Sequence, residues 1–188
     1  MQDALPPVLV QDALPPVPVR GARSAMLVRD ALAAMPNLHL AGQMPLPGGL
    51  TLHLAVPAGD LCSPQAVWLL CPGLRLASRG TGAEALVMAA WHTSLPEAPM
   101  SLAALRQAAR ERHGPPTVEE RTIETRWGLN LVQHRMRWTM AGLNAPLHLE
   151  AVFVLDDAGA AEDAEATEPA PNVQRIGWSA TLASAAAE

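Results

Sequence analysis

The strongest constraint on how this chain can fold lies between Met100 and Leu182, where one helical stretch is followed by four stretches of strand period. Within residues 129–140, Val132, His134, Met136, Trp138 and Met140 recur at every second position, and Gln133, Arg135, Arg137 and Thr139 fill the positions between. After an Ala141–Pro146 turn, Leu147, Leu149, Ala151, Phe153 and Leu155 alternate in the same way. Successive side chains of a strand point to opposite faces, so these two runs describe a long antiparallel hairpin with one apolar side. Further strands are expected at Val118–Trp127 and Val173–Leu182, the last turning Ile176, Trp178, Ala180 and Leu182 inward. A helix is expected over Ser101–His113, with Ser101 as N-cap, Leu102, Leu105 and Ala109 on one face, and a stop at Gly114-Pro115-Pro116. The fold class that follows is α+β, an antiparallel sheet packed with helices.

The first half is less regular. Ser24–Met35 reads as a helix capped by Ser24, with Leu27, Val28, Ala31, Leu32 and Met35 apolar and Pro36 just beyond. Leu50–Val56 alternates as a half-buried strand should, with His53 and Thr51 on its polar face. Ala66–Cys71 is a continuous apolar run expected to form a buried strand. Turns are expected at Pro45–Gly49, Pro72–Gly73 and Arg79–Gly82. In Glu84–Thr93, Thr81 and Glu84 offer a helix capping box, but the position between turns favours a strand, and strand is preferred. Residues 2–10 (QDALPPVLV) and 11–19 (QDALPPVPV) are a near-perfect tandem repeat. Two Pro-rich copies are too few for a solenoid, so residues 1–21 read as an extended arm and 22–188 as a single domain. Asp156, Asp157, Glu162, Asp163, Glu165 and Glu168 crowd a polar segment, 156–171, with little to bury.

Composition narrows the function. Aromatics are 3% of the chain, so the core must be built from Leu, Val, Ala and Met, with each of the five Trp a packing anchor. All 13 basic residues are Arg, a bias that a GC-rich genome explains. A net charge of −5 argues against a general nucleic-acid binder, which concentrates positive charge. No secretory signal pattern and no apolar run of membrane-spanning length is evident, so a cytoplasmic protein without stable membrane insertion is expected. Cys62 and Cys71 are nine apart, neither a CxxC pair nor a metal-ligand spacing, and two free thiols are expected.

Catalytic signals are weak. Gly80-Thr81-Gly82-Ala83-Glu84-Ala85 matches a relaxed dinucleotide fingerprint but lacks an enclosing parallel-sheet unit, so a Gly-rich turn is the better reading. His53, His92, His134 and His148 fall on strands without a register that joins them, and no metal or other cofactor is expected. Adjacent Glu119 and Glu120 point to opposite faces of a strand and cannot act as a carboxylate pair. Arg121, Arg126, Arg135 and Arg137 mark a candidate charged docking face for partner carboxylates.

The order of elements resembles the PsbP-like α/β/α fold, and within it the small bacterial DcrB-like proteins, which include Eag-type chaperones of type VI secretion effectors. LTLHLAVP, SLAALRQAARERHG, ERTIETRWGLNLVQHRMRWTMAG, PLHLEAVFVLDD and VQRIGWSATLA carry the resemblance, over about residues 48–183. It implies an antiparallel sheet flanked by helices, no enzymatic activity, and a cytoplasmic homodimer that shields apolar segments of a secretion effector. The matching candidates for client binding are Val132, Met136, Trp138, Leu149 and Phe153, which the core under a helix would equally claim. A second expectation is a structural or assembly component of a secretion machine or other complex, joining partners through the N-terminal arm by strand addition.

Overall fold

The computed structural model describes residues 27–60, 62–66, 68–80, 82–98, 100–126, 129–140, 146–155 and 172–182. The N-terminal arm, the turn residues 141–145 and the acidic segment 156–171 lie outside them. Among the described residues are nine strands: β1 (Leu38–Leu46), β2 (Leu50–Pro57), β3 (Gly73–Arg79), β4 (Leu86–Ser94), β5 (Met100–Ser101), β6 (Val118–Arg126), β7 (Leu129–Met140), β8 (Leu147–Leu155) and β9 (Asn172–Leu182). They form a mostly antiparallel sheet in the order β1-β2-β3-β4-β9-β8-β7-β6, with β5 pairing β9. Helices are few: α1 (Val28–Ala33), α2 (Leu102–His113) and two short 3-10 turns, Pro47–Gly49 and Trp68–Leu70. No helix among the described residues is long and apolar enough to cross a membrane.

The chain divides into two compact units. One contains, of the described residues, those within 94–138, 150–155 and 172–177. Here the expected helix and strands stand close to their expected bounds. Ser101 occupies the N-cap position of α2 with extended backbone but makes no side-chain cap bond. Gly114 ends the helix at φ 79°, a left-handed conformation that glycine adopts without steric cost, and its N–H donates to Arg110 O. Leu105 and Ala109 are the buried positions of α2.

The other unit contains, of the described residues, 27–93, Thr139–Leu149 and 178–182. Four expectations are corrected here. The first helix spans only Val28–Ala33, with Leu27 at its N-cap. Its first amides are satisfied by the chain before β4: Val28 N–H donates to Ala85 O and Arg29 N–H to Ala83 O. Those carbonyls do what Ser24, which lies outside the described residues, was expected to do.

Ala66–Cys71 is not a strand. Ala66 N–H turns back to Ser63 O, and a 3-10 turn follows. The strand instead starts at Gly73, where φ is 130° and an added Cβ would stand 2.3 Å from Ala55 O, so only glycine fits. β2 is not half-buried: Leu52 through Val56 are buried on both faces, His53 included. Finally, β1 was not anticipated. It is an end strand with Gly42 and Pro45 within it and an irregular register between Leu40 and Gly42, which an edge tolerates and an inner strand does not.

Within Glu84–Thr93 the chain is a strand from Leu86 onward, as preferred, after a turn in which Ala85 N–H donates to Gly82 O. β4 follows Gly80 and Gly82, both with positive φ, and no helix follows the glycines, which removes the dinucleotide reading.

Candidate functional site

The five candidate client-binding residues are core. Val132, Met136, Trp138, Leu149 and Phe153 are all at most 4% exposed. Trp138 shows why. Its Nε1–H donates to Gly114 O at 2.9 Å, at the end of α2. The His113 ring lies 5.5 Å from it, tilted by 55°. The helix end therefore covers the apolar face of β7 at this point.

The candidate docking arginines do not form one positive face. In the β6–β7 ladder Arg121 stands opposite His134, while Glu120 stands opposite Arg135. Residues directly opposite share a face, so Arg121 lies on the other side of the sheet from Arg135 and Arg137. Arg126 is in β6, and its side chain lies outside the described residues. Arg135 Nε and Nη2 donate to Gln133 Oε1 at 3.0 and 2.7 Å. Arg135 also reaches Glu150 Oε1 at 3.4 Å and Glu124 at 3.6 Å. Arg137 pairs with Glu150 at 2.9 Å and Glu120 at 3.0 Å. A hydrogen bond to Glu150 raises the Arg137 pKa, against a smaller effect of burial. Two guanidinium groups thus face three carboxylates of the sheet, those of Glu120, Glu124 and Glu150.

Sequence reading missed the polar cluster at Glu119. It was set aside because Glu120 points the other way, which the structure bears out. What joins its partners is the docking of α2 beside β6, and no linear motif signals that. Arg106 donates to Glu119 Oε1 through Nε and Nη2, each at 2.6 Å. Arg110 Nη2 donates to Oε2 at 2.6 Å. His134 Nε2 lies 2.7 Å from Oε1, and as an ionised carboxylate only accepts, this nitrogen carries the proton. Burial pushes the Glu119 carboxyl up, but the hydrogen bonds from His134, Arg110 and Arg106 outweigh it and hold the pKa down at about 2. His134 is lowered, first by burial and then by the nearby Arg charges, against the pull of Glu119.

With both oxygens occupied by strong donors, Glu119 is an anchor between helix and sheet rather than a free base. Glu119→Gln is therefore expected to cost about 1–3 kcal/mol, since it leaves two guanidinium groups short of a charge-bearing acceptor. Urea unfolding at pH 7 measures this, and a loss below about 0.5 kcal/mol would mark the cluster as incidental.

The four strand histidines do not converge. His53 Nε2 bonds Ser78 Oγ at 2.8 Å, both fully buried, and His148 Nδ1 lies 3.3 Å from Thr139 Oγ1. Burial lowers the His92 pKa to about 4, and its Nδ1 has no hydrogen-bond partner. Among the described residues no group of three or more His, Cys, Asp or Glu is placed to hold a metal ion.

Cys62 and Cys71 are joined in a disulfide, correcting the expectation of free thiols; their Cα atoms are 6.1 Å apart. The nine-residue separation is bridged because the 3-10 turn and the bend at Ser63 fold the segment back on itself. Such bonds persist in oxidising compartments and are rare where a thiol pool keeps cysteines reduced.

Among the described residues of the two end strands, the most exposed large apolar side chain is Ile123 of β6, 53% exposed, followed by Leu40 of β1 at 45% and Val118 of β6 at 43%. No protein-family model, no curated protein and no solved structure matches this chain.

Proposed function

We propose that this chain is a non-enzymatic protein-binding adaptor, of the effector-chaperone kind that its PsbP-like resemblance implies, and that it engages a protein client along β6. The antiparallel sheet with α1 and α2 is, on this reading, a variant of the α/β/α sandwich of that fold. The observation that carries the proposal is the exposed Ile123 on a nine-residue strand that ends the sheet order. An end strand offers backbone donors and acceptors to an incoming strand, and Ile123 adds an exposed apolar contact among the charged residues of β6. The Arg106–Glu119–Arg110 anchor supports the same reading, because it fixes β6 to α2 and presents a rigid edge.

The test is affinity isolation of the tagged full chain from its own organism, beside Ile123→Arg and Leu40→Arg. A client held by the parent chain should fall at least tenfold with Ile123→Arg, about 1.4 kcal/mol or more, and stay within twofold with Leu40→Arg. Equal retention by all three removes the β6 reading. Deleting residues 1–20 separates the assembly-component expectation: loss of association on deletion, with Ile123→Arg silent, would transfer the contact to the arm.

A further inference from the structure

Residues 62–66 and 68–71 form a strap over one face of β1–β3. The register fixes which face: Gly42 stands opposite Leu54, and Leu54 opposite Arg75, so the three share a side. A Cβ added to Gly42 would meet Pro64 Cγ at 3.2 Å, which places the strap on that side of β1. Arg75 Nη2 donates to Ala66 O at 3.2 Å, which places it over β3 as well. Leu54, between these points, is fully buried, and Leu69 and Cys71 of the strap are at most 3% exposed. The Cys62–Cys71 bond ties the two ends of the strap together, and Cys62 is only half-buried, within reach of solvent.

We propose that this disulfide is a redox-operated clasp: a thiol reductant opens it, the strap leaves the sheet, and Arg75 and the Leu54 strip are uncovered. The exchange is balanced. A reductant thiolate attacks one sulfur of the bridge and forms a mixed disulfide, releasing the other cysteine as a thiolate that takes up a proton. A second reductant thiol resolves the mixed disulfide, so the chain gains two electrons and two protons and the reductant leaves as its own disulfide. Arg75 is 4% exposed and donates to Ala66 O, so lifting the strap breaks that bond and returns the guanidinium to water. Closing a short loop holds the strap shut by reducing the freedom of its open form, and reduction removes that restraint. The strap is then closed in an oxidising compartment and open in a reducing one. The inference stands independently of the client proposed for β6.

The test is hydrogen exchange with mass spectrometry on the full chain, untreated and after dithiothreitol, with Cys62→Ser as a genetic mimic of the reduced form. Reduction should speed exchange across residues 62–72 at least tenfold, while peptides of α2 and β6 change less than twofold, and Cys62→Ser should reproduce the pattern without reductant. Unchanged exchange in the strap after two thiols have been titrated would overturn the proposal. So would an increase spread over the whole chain, which would make the bond a general staple. Two titratable thiols in the native, untreated protein would overturn it by removing the bridge.

Discussion

Replacing Trp138 with Ala is expected to lower stability by about 3–5 kcal/mol, as for a large aromatic removed from a packed core. The side chain is 3% exposed and its Nε1–H satisfies Gly114 O, one of the carbonyls left over at a helix end. Trp138→Phe keeps most of the ring volume and loses the hydrogen bond, so a smaller cost of about 1–2 kcal/mol is expected. Ile123→Arg, on an exposed margin, should stay within about 0.5 kcal/mol of the parent. Urea melts of the three variants check this order. A Trp138→Ala protein as stable as the parent would mean that this face is an open client groove rather than core.

Acid is expected to destabilise the protein in two steps. His53, His92, His113 and His134 are all lowered from 6.5, with burial the largest cause in each case. A histidine with a lowered folded pKa binds fewer protons folded than unfolded. Its contribution is therefore fully present above pH 6.5 and is lost as pH falls towards the folded value. For His92, with a folded pKa of about 4, the loss amounts to about 3 kcal/mol by pH 4. Glu119 acts next. Its pKa drops from 4.5 to about 2 on folding, so its contribution is present above 4.5 and disappears as pH falls towards 2. Melts at pH 7, 5.5, 4 and 3 should show both limbs. His92→Asn should flatten the upper one, and Glu119→Gln the lower. Constant stability between pH 7 and 5 would contradict the buried, neutral histidines.

The second half of the chain was legible because period-2 alternation survives wherever one strand face is buried and the other solvated. β7 keeps this alternation from Met136, inside, to Arg137, outside, although Gln133 on the outer face is buried. β2 defeated the rule, since the strap covers Leu54 on one face and His53 is buried on the other, so its polar residues gave no sign of exposure. β1 was hidden by Gly42 and Pro45, which read as turn signals but are tolerated at an end strand. The disulfide was illegible because spacing alone cannot report that the backbone folds back at Ser63. The Glu119 cluster was illegible for a related reason: its donors, Arg106 and Arg110, reach it only once α2 docks.

The most direct test of partner binding at β6 is hydrogen exchange of the full chain, free and bound to the client recovered by affinity isolation. The account predicts slowed exchange in residues 118–126, with α2 and the Val132–Trp138 segment unchanged. Faster exchange in α2 together with new protection across 132–138 would contradict it, because the helix would then have lifted to offer the buried face to the client.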